Sequence, residues 1–419
     1  MYNYLDDLPP LEGEVSPFLP ATRIRRTATR MTSFDAGRGC PFQCSFCTII
    51  NVQGRKSRYR SPDDVERIVR TNHAQGVTQF FITDDNFARN RNWAAIFDRL
   101  IALREQHGIP AEFVIQVDTL CHKIPGFIEK AARAGVFSVF IGLENINPGN
   151  LKEAKKRQNR ITEYRAMLQA WKRVAIVTLA GYILGFPADT PASIRRDIRI
   201  IQEELPIDFL EFFILTPLPG SEDHKKLWEQ GVPMDPDMNR YDTNHVTIAH
   251  PNMSADELQG IWWEAWQRYY TRAHLVTILR RALANGIPIW NVLVPIIWFW
   301  SSIFISRLHP LEGGYFRGRS RRERRPGLPI ERRMTFYARH SLELLTQHLN
   351  FAGFALWLAW VVLRICLDPA RRAYSDRSLA GGAEEDLEYL RLLEFAGASK
   401  TAVASDRVDG ARRDVTAGA

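Results

Sequence analysis

The sequence predicts an α/β fold: a partial (βα)6 TIM-like barrel with a helical, partly hydrophobic C-terminal extension. Six short apolar runs lie between residues 29 and 220, stretches of helical length separate them, and two long apolar segments follow residue 286. A strand-then-helix order repeated about six times implies a parallel sheet. Six units are too few for a closed eight-unit barrel. The strand candidates are Ala28–Phe34, Gln79–Thr83, Glu112–Val117, Ser138–Leu143, Ile176–Leu184 and Phe209–Leu215. Helix candidates start near Ser61, Asn90, Ile124, Asn150, Thr190 and, after the sixth strand, Ser221. Ser61-Pro62-Asp63-Asp64 is the best marked of these, with Ser as N-cap, Pro at the first helical position and acids in the first turn.

Around this 29–220 core, residues 1–28 read as an extended leader, because Pro9, Pro10, Pro17 and Pro20 break regular structure. Residues 221–286 read as a helical extension whose Trp262, Trp263 and Trp266 pack a core. The segment Ile287–Ser306 holds 20 residues without a charge, enough as a helix for about 30 Å, with Pro288 and Pro295 expected to kink it. A second apolar stretch runs from Leu349 to Leu363, and ten arginines lie between Arg307 and Arg339. If both segments crossed a bilayer, these arginines would lie opposite the catalytic domain, against the positive-inside tendency. Residues 287–375 are therefore expected to form a membrane-associating region lying at the lipid surface. A buried helical domain and a spanning pair remain alternatives. The tail, 376–419, is expected to be partly disordered.

Of the 419 residues, 45% are hydrophobic and 24% charged, which excludes wholesale disorder and a polytopic membrane protein. The net charge of +8 suits an acidic partner, anionic lipid or nucleic acid without choosing among them. The lipid-like flanks of the arginine stretch argue against nucleic acid. The five cysteines are odd in number and clustered, a poor disulfide framework and a better metal site in a reducing compartment. No signal-peptide pattern is visible. The expected location is cytoplasmic, at the inner face of the membrane.

The decisive motif is Gly37-Arg38-Gly39-Cys40-Pro41-Phe42-Gln43-Cys44-Ser45-Phe46-Cys47, with C-x3-C-x2-C spacing. Three thiolates on one loop can hold three corners of a cubane iron–sulfur cluster and leave the fourth iron open to a substrate or cosubstrate. A structural zinc would want a second C-x2-C-like half, and an electron-transfer cluster a fourth cysteine. Cys121-His122 is the one other candidate pair. Cys121 and Cys366 otherwise read as packing residues. No phosphate loop, H-E-x-x-H or G-x-S-x-G stretch is present.

This cysteine spacing, with Phe46 just before the third cysteine at the end of a first strand, resembles the radical S-adenosylmethionine (SAM) superfamily. Thr83-Asp84-Asp85-Asn86-Phe87, Ile141-Gly142-Leu143-Glu144, Gly181 to Asp189 and Thr216-Pro217-Leu218-Pro219-Gly220 end the second, fourth, fifth and sixth strands, as in that family. The match covers about residues 29–285. A narrower resemblance rests on Lys156-Arg157-Gln158-Asn159, Tyr241-Asp242 through Met253-Ser254, and His309 through Gly327. These look like the branch that usually carries a cobalamin domain, which includes methyltransferases acting on unreactive carbon, hopanoid methylases and the anaerobic ring cyclase of bacteriochlorophyll synthesis. The 39 residues before Cys40 are too few for a Rossmann-like domain of on the order of 100 residues, so none is expected in this chain.

The resemblance implies a [4Fe–4S] cluster on Cys40, Cys44 and Cys47, with SAM as the molecule cleaved and cobalamin a possible third group. It places Asp84, Asp85 and Asn86 at the SAM ammonium and Gly142 and Glu144 at its ribose or ammonium, Glu144 alternatively pairing with Lys155, Lys156 or Arg157. It places Gly185 and Phe46 beside the adenine, and Thr216 and Pro217 at the sixth strand end. Tyr182 and Asp118 are expected to be structural. The implied partners are a low-potential electron donor of flavodoxin or ferredoxin type and a hydrophobic or anionic small molecule, such as a lipid or tetrapyrrole. The rival readings are a tRNA-modifying radical SAM enzyme and a non-catalytic, membrane-docked iron–sulfur subunit that needs a partner.

Overall fold

The computed structural model describes residues 11, 30–313, 320–322, 327 and 329–380. The expected leader (but for Leu11), the tail beyond Ala380, Ala28 and Thr29 of the first strand candidate, and Arg317, Arg319, Arg324 and Arg325 lie outside the described residues.

Contacts divide the chain into two units, one of residues up to Ala265 together with those from Ser375 onward, the other Trp266–Tyr374. Among the described residues the first unit holds eight strands: β1 (Met31–Phe34), β2 (Gly37–Arg38), β3 (Arg58–Tyr59), β4 (Gln79–Ile82), β5 (Glu112–Val117), β6 (Val136–Glu144), β7 (Val177–Leu184) and β8 (Phe209–Ile214). Six of them form one parallel sheet in the order β1-β4-β5-β6-β7-β8. Each sheet strand coincides with a predicted apolar run to within a few residues. β2 and β3 form a separate antiparallel ribbon, and the loop between them carries the three clustered cysteines.

The sheet's two faces differ because side chains alternate along a strand. On one face Phe34 packs edge-on to Phe80, which stacks on Phe113. Ile82, Ile115, Val139 and Ile141 are fully buried there. Phe81, Thr83, Gln116, Phe140, Gly142 and Glu144 on the other face are only half-buried. That face is open for a ligand at the carboxyl ends of the strands.

Helix starts follow their local caps. Ser61, Thr190 and Ser221 cap the helices Pro62–His73, Pro191–Glu204 and Glu222–Glu229 through their hydroxyls. Near Asn150 the structure differs from the single helix expected. A short helix, Pro148–Glu153, ends, and a second, Tyr164–Arg173, supplies the packing against the sheet. The break lets residues 155–160 return to the strand ends. Residues 221–286 are also not helical throughout, since most of 230–254 is turn and extended chain around an isolated Met234–Ile248 bridge. Trp262 and Trp266 are buried as expected.

One buried carboxyl has a measurable consequence. Glu211 of β8 is 3% exposed, and burial pushes its pKa up from 4.5 to about 7. The folded state thus holds this proton more tightly than the unfolded chain does. The stability it contributes is present below about pH 4.5 and lost as pH rises through about 7. Glu211→Gln is expected to raise the melting temperature at pH 8, by up to about 3 kcal/mol of stability, with the gap closing at pH 5. Thermal denaturation at the two pH values checks this.

The second unit is helical. It comprises Arg272–Ala284, Ile289–Trp300 continued by a π-helical turn at Ser301–Ser306, and a 35-residue helix, Arg333–Leu367. Pro288 caps the middle helix instead of interrupting it, and Pro295 lies inside it. Phe354 of the long helix stacks on Trp300 with ring centroids 3.7 Å apart. The segments Ile289–Ser306 and Arg333–Leu367 are both long and apolar enough to cross a membrane. Cys366, expected to be packed, is exposed, because it sits on the side of the long helix away from the buried stripe Phe354, Leu358, Val361 and Ile365.

Candidate functional site

The cysteine loop is held at its base by the ribbon and by Asp84. Asp84 Oδ1 accepts from the backbone N–H groups of Ala36 and Gly37 at 2.7 and 2.6 Å, and Oδ2 from Asn90 Nδ2 at 2.9 Å. Burial pushes its pKa up to about 7 against these three hydrogen bonds. A Cβ on Gly37 would lie 2.7 Å from both Asp84 and Asn90, so only glycine admits this clamp. Gly39 has φ +96°, and a Cβ there would meet the Gly54 carbonyl at 2.9 Å. Asp85 takes the next amide, that of Gly39, at 3.2 Å. Arg60 binds Asp35 and Asp64 at 2.8 and 2.7 Å behind the ribbon.

The loop's far side is pinned by segments distant in sequence. Ser45 N–H donates to the Ala154 carbonyl at 3.0 Å. Ser45 Oγ donates to Asp223 at 3.0 Å, and Asn51 Nδ2 to the Gly220 carbonyl at 2.7 Å. The Phe46 ring packs against the buried cluster Ala154, Ile183 and Phe186, as do Phe213 and Leu215.

Within this frame Cys44 is buried, and Cys40 and Cys47 are half-buried. Burial pushes the Cys47 thiol up to about 11 and that of Cys40 in the same direction, while the nearby Lys156 ammonium opposes both shifts. The Cys44 thiol adds to the upward shift of both Cys40 and Cys47. Among the described residues, no three His, Cys, Asp or Glu converge as ligands of a single metal ion. Three thiols on one glycine-lined loop, with the buried Lys156 ammonium beside them, are a donor set that fits three corners of a [4Fe–4S] cluster.

Lys156 pairs with Glu144 at 2.6 Å, both side chains being nearly buried, and its ammonium lies 5.8 Å above the Phe46 ring. The Glu144 carboxylate holds the Lys156 pKa well above the usual lysine range despite burial. Glu144 itself sits at φ +63°, beside a register shift between β6 and β7. A non-glycine residue held there stores strain of the kind found at functional sites. Gly142 makes room for the pair, because a Cβ would lie 2.7 Å from Glu144 Oε1 and 3.2 Å from Lys156 Nζ. Gln158 Nε2 reaches Cys44 Sγ at 3.5 Å, and Asn159 Nδ2 donates to the Gly142 and Leu143 carbonyls at 2.9 and 2.7 Å. Three side chains of the Lys156–Asn159 motif thus reach the site. Lys156→Met is expected to strand Glu144 without a partner and cost about 3–5 kcal/mol, read as a lower urea midpoint. The Glu144→Gln, Lys156→Met double variant should recover most of that loss.

Other expected site residues are more inwardly engaged than the sequence suggested. Asn86 holds Asp118, which also binds Arg89 in two bonds of 2.6 and 2.8 Å. Asp118 and Tyr182 are both buried among structural partners. Thr216 Oγ1 donates to the Ile214 carbonyl at 2.9 Å, and Pro217 is buried. Gly185 has φ +89°, and the direction of its missing Cβ is filled by Leu258. Its N–H and that of Phe186 both donate to Asp189 at 3.0 Å. Cys121 is fully buried, and burial raises its thiol pKa far above the usual range. Sequence reasoning named Lys156 as one of three partners for Glu144, named Gln158 only within the Lys156–Asn159 stretch, and gave no site role to Asn90, Ser45 or Asp223. No spacing rule connects residues that meet across 178 positions, as Ser45 and Asp223 do.

Comparison with known proteins agrees with this geometry. Residues 35–201 match the sequence model of the Radical SAM superfamily. The bacteriochlorophyllide d C-12(1)-methyltransferase of Chlorobaculum tepidum is 29% identical over 226 residues, which are 53% of this chain and 48% of that protein. The hopanoid C-2 methylase of Rhodopseudomonas palustris is 25% identical over 243 residues, 57% of this chain and 44% of that protein. This chain spans about half the length of these relatives. Among solved structures, the radical S-adenosylmethionine methyltransferase TsrM of Kitasatospora setae aligns over 54% of this chain and 44% of its own, with 18% identity and a TM-score of 0.45. Members of the matched superfamily use a [4Fe–4S] cluster and SAM. The C-x3-C-x2-C loop and strands β4, β5, β6 and β7 of the parallel sheet thus lie in the segment that is similar to the Radical SAM superfamily.

Proposed function

We propose that this chain is the catalytic part of an enzyme that cleaves SAM reductively and functionalises an unreactive C–H bond of a hydrophobic substrate, by methylation or ring formation. The observation that carries the reading is the pinned three-cysteine loop, with the Glu144–Lys156 pair beside it at the carboxyl ends of the strands. Cys40, Cys44 and Cys47 would hold a [4Fe–4S] cluster. When bound, that cluster supplies the electron that breaks a carbon–sulfur bond of SAM to give a 5′-deoxyadenosyl radical.

The protein's own share is position and exclusion of water. Asp84 fixes the loop base from beneath, Asp85 stands at the rim where the SAM ammonium would lie, and Asn86 is turned inward onto Asp118. Glu144, Lys156 and Gly142 form one wall, and Phe46, Gly185, Thr216 and Pro217 the apolar end that would face adenine. A low-potential flavodoxin or ferredoxin would deliver electrons, and cobalamin would enter from outside the segment described. The relatives named above act on a bacteriochlorophyllide and a hopanoid, which favours a lipid or tetrapyrrole-like substrate.

The test is an anaerobic assay of the reconstituted protein with SAM and dithionite, with and without cobalamin. 5′-Deoxyadenosine is the expected product. S-adenosylhomocysteine formed only with cobalamin would identify methyl transfer. A fully cluster-loaded protein that makes neither product would overturn the reading.

A further inference from the structure

We propose that the helical unit Trp266–Tyr374 docks on the surface of an anionic lipid bilayer, through the exposed apolar side of the helix Arg333–Leu367. The helix has a buried stripe at Phe354, Leu358, Val361 and Ile365. A helix in water carries polar side chains opposite such a stripe. Here the opposite side carries Leu349, Leu356, Trp360 and Leu367, exposed by 65, 74, 55 and 71%. From Phe351 to Leu363 the sequence holds no polar side chain at all. The neighbouring helix repeats the pattern, with Trp290, Val294 and Trp298 exposed at four-residue spacing.

Charge selects lipid over a protein partner. Between Trp266 and Tyr374 the chain has 17 arginines, no lysine and five acidic residues, a net charge of +12. The whole chain is at +8, so the rest is net negative. The cations also border the apolar surface. Arg364 lies 5.4 Å over the Trp360 ring, Arg272 5.1 Å over Trp357, and Arg280 5.6 Å over Tyr374. Arginine and tryptophan side by side at the edge of an apolar helix face suit the headgroup layer, where the ring enters the acyl boundary and the guanidinium meets phosphate.

The helix is long and apolar enough to cross a bilayer, so its orientation follows from burial. One side of the helix is already covered by protein. The helix therefore lies in the interface and does not cross it.

The test is flotation of the full chain with vesicles of phosphatidylcholine alone, or of phosphatidylcholine with phosphatidylglycerol. Binding is expected with phosphatidylglycerol and should fall by at least about tenfold without it or in high salt. Leu356→Glu with Trp360→Glu should abolish flotation while leaving circular dichroism and SAM cleavage unchanged. Trp228→Glu, an equally exposed residue of the first unit, should float like the wild type. Failure of the wild type to float on anionic vesicles would overturn the proposal, as would equal binding to neutral vesicles. Retention on membranes after carbonate extraction would show a spanning helix and also overturn it. Concentration-dependent dimerisation lost in the double variant would assign the face to a second copy instead. The flotation readouts do not depend on radical chemistry, so either proposal can fail alone.

Discussion

Cys44→Ala is expected to leave the purified, reconstituted protein without the visible absorbance of a [4Fe–4S] cluster and to abolish 5′-deoxyadenosine formation. Cys44 is the buried member of the three and the one whose sulfur accepts from Gln158. Its loss removes the corner most shielded from water and leaves two half-buried thiols to hold a charged cluster. A cubane with two of its four corners ligated has no protein-imposed orientation. The fold should survive, because Cys44 contributes little apolar area and its neighbours Ser45 and Phe46 keep their contacts. Iron and sulfide content, together with the melting temperature, would separate loss of the cluster from loss of the fold. Wild-type iron content in the variant would rule out Cys44 as a ligand.

Asp84→Ala should come close to the same loss of cluster by a different route. Removing the carboxylate leaves the N–H groups of Ala36 and Gly37 buried without their acceptor, at about 1–3 kcal/mol for each unsatisfied group, and leaves Asn90 Nδ2 only its bond to the Ala36 carbonyl. The base of the cysteine loop then has no fixed position. We expect cluster occupancy to fall several-fold, with a destabilisation of about 3 kcal/mol or more. Asp84→Asn keeps the shape but turns one acceptor into a donor, so it should rescue only part. If Asp84 acted chiefly by touching SAM, Asp84→Ala would keep its cluster and raise only the SAM dissociation constant, an outcome that would sink the positioning role.

These two residues mark the limits of what the sequence makes legible. The cysteine loop is readable because its ligands fall within eight residues and their spacing is itself the chemistry. Ser61, Thr190 and Ser221 are readable because a cap is a local bond across three residues. The strands are readable as apolar runs because parallel strands are covered on both faces, most completely here in β7 and β8. Asp84 is different. It looks like a ligand-facing acid at a strand end, yet its acceptors are spent on amides 47 and 48 residues away, which become neighbours only through the pairing of β1 with β4. The break after Glu153 was hidden for a similar reason. Its cause is the return of Lys156, Gln158 and Asn159 to the strand ends, a long-range demand that overrides helix propensity.

The Ser45–Asp223 bond also sets a schedule. A ribosome adding about 5–20 residues per second needs roughly 10–35 s to travel from one partner to the other. Through that interval the three thiols have emerged, but the segment that pins their loop has not. The nascent chain is then most vulnerable to oxygen, and iron delivered early would find a floppy ligand set. Assembly of the metal centre should therefore wait until the segment around Asp223 has emerged, and slowing synthesis in air should lower the yield of intact protein.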